Sequence, residues 1–169
     1  MSRFQMVAVV VCILLNMLDG FDVLVMAFTA SSISDEWQLS GKSLGVLFSS
    51  GLVGMAIGAM FLSPLADKYG RRKLIIACLV IITTGMLLSS ITNSLNQLIA
   101  MRVLTGVGIG AALASVNIIT AEYSSNKRRG LAISLVQTGY PVGGILGGGI
   151  ATLLITEAGW RSVFVFGAC

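Results

Sequence analysis

The sequence predicts an all-α membrane protein with five transmembrane helices and the start of a sixth. Of its 169 residues, 56% are hydrophobic and 11% are charged, and the mean hydropathy is +0.93. Soluble domains are about 25% charged, so a soluble globular fold is excluded. Uncharged runs long enough to cross a bilayer also recur along the chain, and each of them is expected to form a helix that contacts lipid.

Charged residues and one polar turn bound the predicted spans, since a crossing needs about 20 apolar residues that rise about 1.5 Å each. The uncharged run that begins at residue 74 is too long for one crossing, and we predict a tight turn in its polar stretch 92–97. The predicted spans are 4–33, 43–66, 74–91, 98–121, 130–156 and 162–169. The last run stops after eight residues, which is too short to cross a bilayer, so we expect residues 1–169 to be a piece of a longer chain whose partner is the remainder of that chain.

Several kinds of chemistry are excluded by the residues present. The sequence has no histidine, and its cysteines lie singly in apolar runs, at Cys12, Cys78 and Cys169. We therefore expect no metal site, no cofactor and no enzymatic nucleophile. The basic residues form short clusters rather than a face, so a nucleic-acid partner is not expected.

Basic residues are distributed unevenly between the two predicted sides of the bilayer. Eight of them flank the spans on one side and two on the other. Because lysine and arginine in short loops mark the cytoplasmic side, the N-terminus is predicted to be cytoplasmic. The eight are Arg3, Lys68, Arg71, Arg72, Lys73, Lys127, Arg128 and Arg129, and the two are Lys42 and Arg161.

The first span contains the carboxylates Asp19 and Asp22. At about 100° per residue, these two side chains and Asn16 lie within an arc of about 120°. Charges in hydrocarbon usually face a polar interior and mark a substrate or proton path. This polar face is therefore expected to line a cavity.

The fourth span contains a single charge, Arg102. It shares an arc of about 80° with Gly106, Gly110 and Asn117. An arginine fork matches a carboxylate, so Arg102 is predicted to attract an anionic substrate, with Asn117 on the same wall.

Asp19 or Asp22 is expected to carry a proton. Burial favours the neutral form of a carboxylate, whereas a nearby arginine favours the charged form, so a substrate that competes for Arg102 would couple binding to protonation. In the alternative, Arg102 and an aspartate only form a fixed ion pair that holds two helices together.

The fifth span is rich in glycine and carries Gln137 and Tyr140 on one face, with Pro141 beside them. Small residues let membrane helices approach closely, so one interpretation is a packed helix that can bend. In the other, Gln137 and Tyr140 also contact substrate.

The loop at residues 63–73 resembles the signature of the major facilitator superfamily, G-x-x-x-D-[RK]-x-G-[RK]-[RK]. Ser63 stands in place of the first glycine, and the run Arg102 to Gly110 resembles a second signature, R-x-x-x-G-x-G-x-G. The residues that match the loop signature are Asp67, Lys68, Gly70, Arg71 and Arg72.

The first span adds the box Asp19-Gly20-Phe21-Asp22, which is similar to that of the aromatic acid:proton symporters. This resemblance implies proton-coupled import of benzoate-like or hydroxybenzoate-like anions across a bacterial inner membrane. It also implies alternating access between two six-helix halves, of which this chain would hold most of the first.

The resemblance further assigns a gating network to the charges at the cytoplasmic ends of the spans. Asp67, Arg71 and Glu122 would latch the outward-open state, and Glu122 is followed by Arg129 as in many such carriers. Gly70, Arg72 and Arg129 belong to the same network. The alternative is that these charges only set topology and anchor lipid headgroups.

Two rival functions stay open. The first keeps the fold but changes the cargo to sugars, dicarboxylates or other organic acids. The second is a membrane subunit that transports nothing.

Overall fold

The computed structural model describes residues 3–124 and 129–168, and the regular elements within these ranges are helices. Five are long and apolar enough to cross a membrane, and a shorter one follows them. This agrees with the predicted fold class. The elements are α1 (Arg3–Trp37), α2 (Gly41–Ile57) continued by a π-helical turn (Gly58–Leu62), α3 (Leu65–Tyr69), α4 (Arg71–Ser90), α5 (Leu95–Tyr123), α6 (Arg129–Ala158) and α7 (Trp160–Ala168).

Serine side chains begin two of the long helices. The backbone N–H of Gln97 donates to Oγ of Ser94 at 3.4 Å, and that of Ser43 donates to Oγ of Ser40 at 3.3 Å. Each bond satisfies an amide that lacks a partner in the first helical turn. The turn expected in the stretch 92–97 accordingly ends at Ser94, where α5 begins.

The structure divides the second predicted span, 43–66. The helix that begins with α2 ends at Leu62, and the short α3 starts at Leu65. Pro64 lies between them, and a proline has no N–H with which to continue a helical hydrogen-bond ladder. A second break follows at Gly70, whose φ of 91° is unfavourable for residues with a Cβ.

α2 and α5 approach each other closely along a stripe of glycines. A Cβ added at Gly58 would overlap the carbonyl of Val107, and one added at Gly110 would overlap the carbonyl of Met55. Small residues allow this backbone contact in lipid. The contact places one wall of α5 directly against α2.

The helices pack around buried apolar side chains and leave apolar side chains on the outside. Met86 and Leu98 are fully buried, as is Phe164 of α7. In contrast, Ile145 and Met60 are 75% and 71% exposed. A protein that exposes large aliphatic side chains along helices of this length is suited to lipid.

Alternating helix directions give the bundle two ends. The basic end carries Asp67, Arg71 and Glu122, where α3 meets α4 and α5 ends. The tryptophan end carries Glu36 and Trp160, where α1 ends and α7 begins.

Candidate functional site

The inner face of α1 holds three polar side chains in the middle of the bundle. Asn16, Asp19 and Asp22 are only 1%, 3% and 4% exposed. Residues three apart on a helix are neighbours on one face, and the other side of the same turns exposes Leu14 and Leu18. The polar face of α1 therefore points into the protein.

Arg102 of α5 is buried and makes long contacts with three neighbours. Its Nη1 donates to the main-chain oxygen of Asp22 at 3.4 Å, and its Nη2 lies 4.0 Å from Sδ of Met86. Its guanidinium carbon lies 4.7 Å from the ring centre of Phe164, within the range of a cation–π interaction. Nε has no hydrogen-bond partner among the described residues.

Arg102 forms no salt bridge with a carboxylate within 4.0 Å in the described part of the chain. Within residues 3–124 and 129–168, the ion pairs within 4.0 Å are formed by Arg71 and Arg161. The fixed ion pair with Asp19 or Asp22, which the sequence left open as an alternative, is thus not formed in this structure. The guanidinium keeps hydrogen-bonding capacity that a ligand could use.

Asp22 and Arg102 line one cavity of about 180 Å³ between α1, α2 and α5. Gly106 contributes to its wall because α2 and α5 approach closely at that point. The charged pole of the cavity is Asp22 with Arg102, and most of the remaining wall is apolar. Its apolar residues include Leu47, Phe48, Leu52, Met55 and Ile109.

The other predicted substrate residues lie apart from this cavity. Asn117 is half-buried in α5, Tyr140 is half-buried in α6 and Gln137 is exposed. Nδ2 of Asn16 is 3.3 Å from Oε1 of Gln137. None of these residues is among those that line the Arg102 cavity in the described structure.

At the basic end, Arg71 contacts both Asp67 and Glu122. Nη2 of Arg71 is 3.7 Å from the Asp67 carboxylate, and its Nη1 donates to Glu122. The structure therefore brings together the three residues of the predicted latch. Arg72, which follows Arg71 in the sequence, and Arg129, at the start of α6, are exposed. Residues 127 and 128 lie outside the described residues.

Gly70 makes this geometry possible because its positive φ turns the chain between α3 and α4. That turn places Asp67, in the middle of the short helix α3, beside Arg71 at the start of α4. A residue with a Cβ would be strained there.

Sequence reasoning missed the aromatic support of Arg102. Phe164 packs edge-to-face on Trp160 with ring centres 5.6 Å apart, and Nε1 of Trp160 donates to Glu36 at 2.5 Å. Arg161 completes this group by donating to Glu36 at 2.9 Å. The spacing of four between the two aromatic residues is a helical-face signal that was available in the sequence.

Known proteins match the chain over nearly its whole length. A sequence profile described as Major Facilitator Superfamily covers residues 9–169. A gallate transporter of Pseudomonas putida is 36% identical over 98% of this chain and 37% of its own. The 4-hydroxybenzoate transporter PcaK of the same species is 34% identical over 99% of this chain and 37% of its own. The chain thus spans little more than a third of these relatives.

A solved structure has the same arrangement of helices. The proton:xylose symporter XylE of E. coli matches with a TM-score of 0.87, covering 99% of this chain and 42% of its own at 20% identity. At that identity the match concerns the fold alone. Because the superfamily profile matches almost every residue and the fold agrees, the chain belongs to the Major Facilitator Superfamily.

Proposed function

We propose that the full-length protein containing this chain imports aromatic carboxylates together with protons by alternating access. The protein is a multi-pass protein of a bacterial inner membrane, with its N-terminus and basic end in the cytoplasm. Its direct partners are the aromatic anion, the proton, the lipid bilayer and the rest of its own chain.

The observation that carries this proposal is a buried guanidinium that forms no salt bridge with the described carboxylates and lies beside Asp22 and apolar walls. Arg102 offers donors with the geometry that a carboxylate accepts. Apolar side chains of α2, such as Leu47 and Phe48, line the same cavity. An aryl carboxylate presents one charged group and one apolar ring, so it matches both parts of the site.

The similarity to the gallate and 4-hydroxybenzoate transporters supports the same substrate class. Both substrates named there are aromatic rings with a carboxylate. The basic residues Lys68, Arg71, Arg72 and Lys73 at one end support the orientation, because such clusters stay in the cytoplasm.

The contacts of Arg71 support a latch role for the basic end. Its two partners are partly exposed: the side chains of Asp67 and Glu122 are 77% and 54% accessible. Exposed pairs of this kind contribute about 0 to 1 kcal/mol each. They are weak enough to break in each transport cycle.

The test is uptake of labelled 4-hydroxybenzoate by the full-length protein in proteoliposomes. One proton per singly charged anion is electroneutral, so a gradient of one pH unit should support roughly tenfold accumulation. Arg102→Gln should abolish uptake, whereas Lys42→Gln, which removes an exposed charge at the tryptophan end, should not.

Competition assigns the cargo. Unlabelled benzoate should inhibit uptake, and xylose and succinate should not. If a sugar or a dicarboxylate is transported and benzoate is not, the carrier has another substrate and the proposed function is wrong.

A further inference from the structure

Two buried oxygen atoms on the inner face of α1 lack hydrogen-bond donors. They are Oδ1 of Asn16 and Oδ2 of Asp19, and no described residue donates to either. Both side chains are almost fully buried. Since unsatisfied buried acceptors are rare, the pair calls for a physical explanation.

The orientation of the Asn16 amide is fixed by its surroundings. Its Nδ2 lies 2.6 Å from the main-chain oxygen of Val136 in α6. A carbonyl oxygen can only accept a hydrogen bond, so the nitrogen must face it. Oδ1 of Asn16 is therefore the free acceptor of this amide.

Asp19 is one helical turn from Asn16 on the same face, and their Cβ atoms are therefore about 5–6 Å apart. An ionised Asp19 could not satisfy Oδ1 of Asn16, because a carboxylate and an amide oxygen are both acceptors. A protonated Asp19 has an O–H that can donate, and one proton would then serve both groups.

The two aspartates of α1 face different parts of the protein. Asp22 lines the Arg102 cavity, and its main chain accepts from Nη1 of Arg102. Asp19 is not among the residues that line that cavity in the described structure. It neighbours α6, because the backbone of Gly20 packs against the carbonyl of Tyr140.

The titratable groups around Asp19 come from several helices. Asp22 of α1, Cys78 of α4 and Tyr140 of α6 are close enough to Asp19 for each to interact electrostatically with its carboxylate. On α5 the nearby charge is Arg102, which faces Asp22. The titratable side chain of α7 is Arg161, at the tryptophan end.

We propose that Asp19 and Asn16 form the proton-binding site, whereas Asp22 serves the substrate cavity with Arg102. This assignment rests on the proposed function, since it divides proton and anion between two places in the same carrier. A proton from water forms an O–H bond with the Asp19 carboxylate, and the hydroxyl donates to Oδ1 of Asn16. On release the same bond breaks and the proton returns to water on the other side.

Transport by the full-length protein separates the two aspartates. Asp19→Asn should still exchange internal for external 4-hydroxybenzoate in proteoliposomes but lose concentrative uptake under a pH gradient, so that accumulation falls to about onefold. Asp22→Asn, the matched variant, should lose exchange as well. Concentrative uptake by Asp19→Asn would overturn the proposal, as would accumulation that follows a sodium gradient in place of the pH gradient.

Infrared difference spectra of the same protein between high and low pH test the site without transport. A protonated carboxyl band should disappear in Asp19→Asn and remain in Asp22→Asn. It should move to higher wavenumber in Asn16→Leu, because the O–H then loses its acceptor. The proposal would be overturned by a band that disappears only in Asp22→Asn, or by a band whose wavenumber does not change in Asn16→Leu. Wild-type protein that gives the band but transports no aromatic carboxylate would refute the proposed function alone.

Discussion

The guanidinium of Arg102 packs on an aromatic ring, although a buried arginine is more often expected to pair with a carboxylate. The ring of Phe164 lies 4.7 Å from the guanidinium carbon and is fully buried. A desolvated cation–π contact is worth about 2 kcal/mol, which corresponds to roughly thirtyfold in an equilibrium constant. The ring therefore holds the cation in position beside the cavity.

We predict that Phe164→Leu weakens binding of 4-hydroxybenzoate to the full-length protein by up to roughly thirtyfold. Equilibrium binding in detergent measures this change. Phe166→Leu is the matched control, because Phe166 packs edge-to-face on Phe21. Equal losses in both variants would show that general packing, and not the ring over Arg102, is responsible.

A double-mutant cycle isolates the contact. The unfolding free energy lost in Phe164→Leu should be smaller by about 2 kcal/mol when Arg102 is already methionine. A coupling energy near zero would mean that the ring and the guanidinium do not interact.

At the scale of residues, the sequence predicted the charges better than their neighbours. Asp22 and Arg102 could be singled out because a charge within an apolar run needs a polar environment. Met86 could not, and for Phe164 the sequence offered only its helical spacing from Trp160, since apolar residues in a membrane helix are compatible with any orientation. Which side chains of other helices meet Arg102 depends on packing that no single span specifies.

The contact between α2 and α5 depends on glycines at particular positions. We predict that Gly58→Ala destabilises the full-length protein by about 1 to 3 kcal/mol, the usual cost of overpacking, because the new Cβ overlaps the carbonyl of Val107. Gly45→Ala is the control in the same helix, since its Cβ meets nothing within 4 Å. It should be neutral or stabilising by up to about 1 kcal/mol.

Denaturation with sodium dodecyl sulfate in mixed micelles measures both variants. If Gly58→Ala were as stable as wild type, the close approach of α2 to α5 would be wrong. If Gly45→Ala were equally destabilised, glycine would be needed for flexibility and not for packing.

The proposed latch at the basic end joins α4 to α5 through Arg71 and Glu122. We predict that Glu122→Gln lowers the uptake rate about twofold to fivefold, because a partly exposed pair is worth up to about 1 kcal/mol. Asp67→Asn should have a smaller effect, since the contact of Arg71 with Asp67 is longer and more exposed. Lys73→Gln, in the same basic cluster, is the control. If the Glu122→Gln variant inserts normally and its uptake rate is unchanged, the pair of Arg71 and Glu122 only sets topology.

At the scale of elements, the sequence predicted where helices start more readily than where they bend. The polar stretch before α5 indicated a turn, and Ser94 caps the helix there. The division of the second span at Pro64 was missed, because its apolar run continues beyond the proline. Hydropathy indicates which residues can lie in lipid, whereas this break arises because proline has no backbone N–H to donate.

At the scale of the whole molecule, glycine stripes predicted close helix contacts but not which helices make them. α2 packs on α5, and α1 packs on α6, in pairs that are distant in sequence. Resemblance to a known family implied a six-helix half but not these pairs, and the periodicity of one helix does not identify its partner. Charge distribution, in contrast, predicts the orientation of the bundle directly.

We predict that the basic end faces the cytoplasm. In the full-length protein with Cys169 and every cysteine outside residues 1–169 replaced by serine, Lys73→Cys should react with an impermeant maleimide only after the cells are opened. Lys42→Cys, at the tryptophan end, should react in intact cells. The native Cys12 and Cys78 are 4% and 0% exposed, so the protein without new cysteines should give little background. The reverse labelling pattern would overturn the predicted orientation. Lys73 and Lys42 lie at opposite ends of the bundle, so that pattern would place the basic cluster outside the cell. Such a placement would contradict the rule that basic loops stay in the cytoplasm.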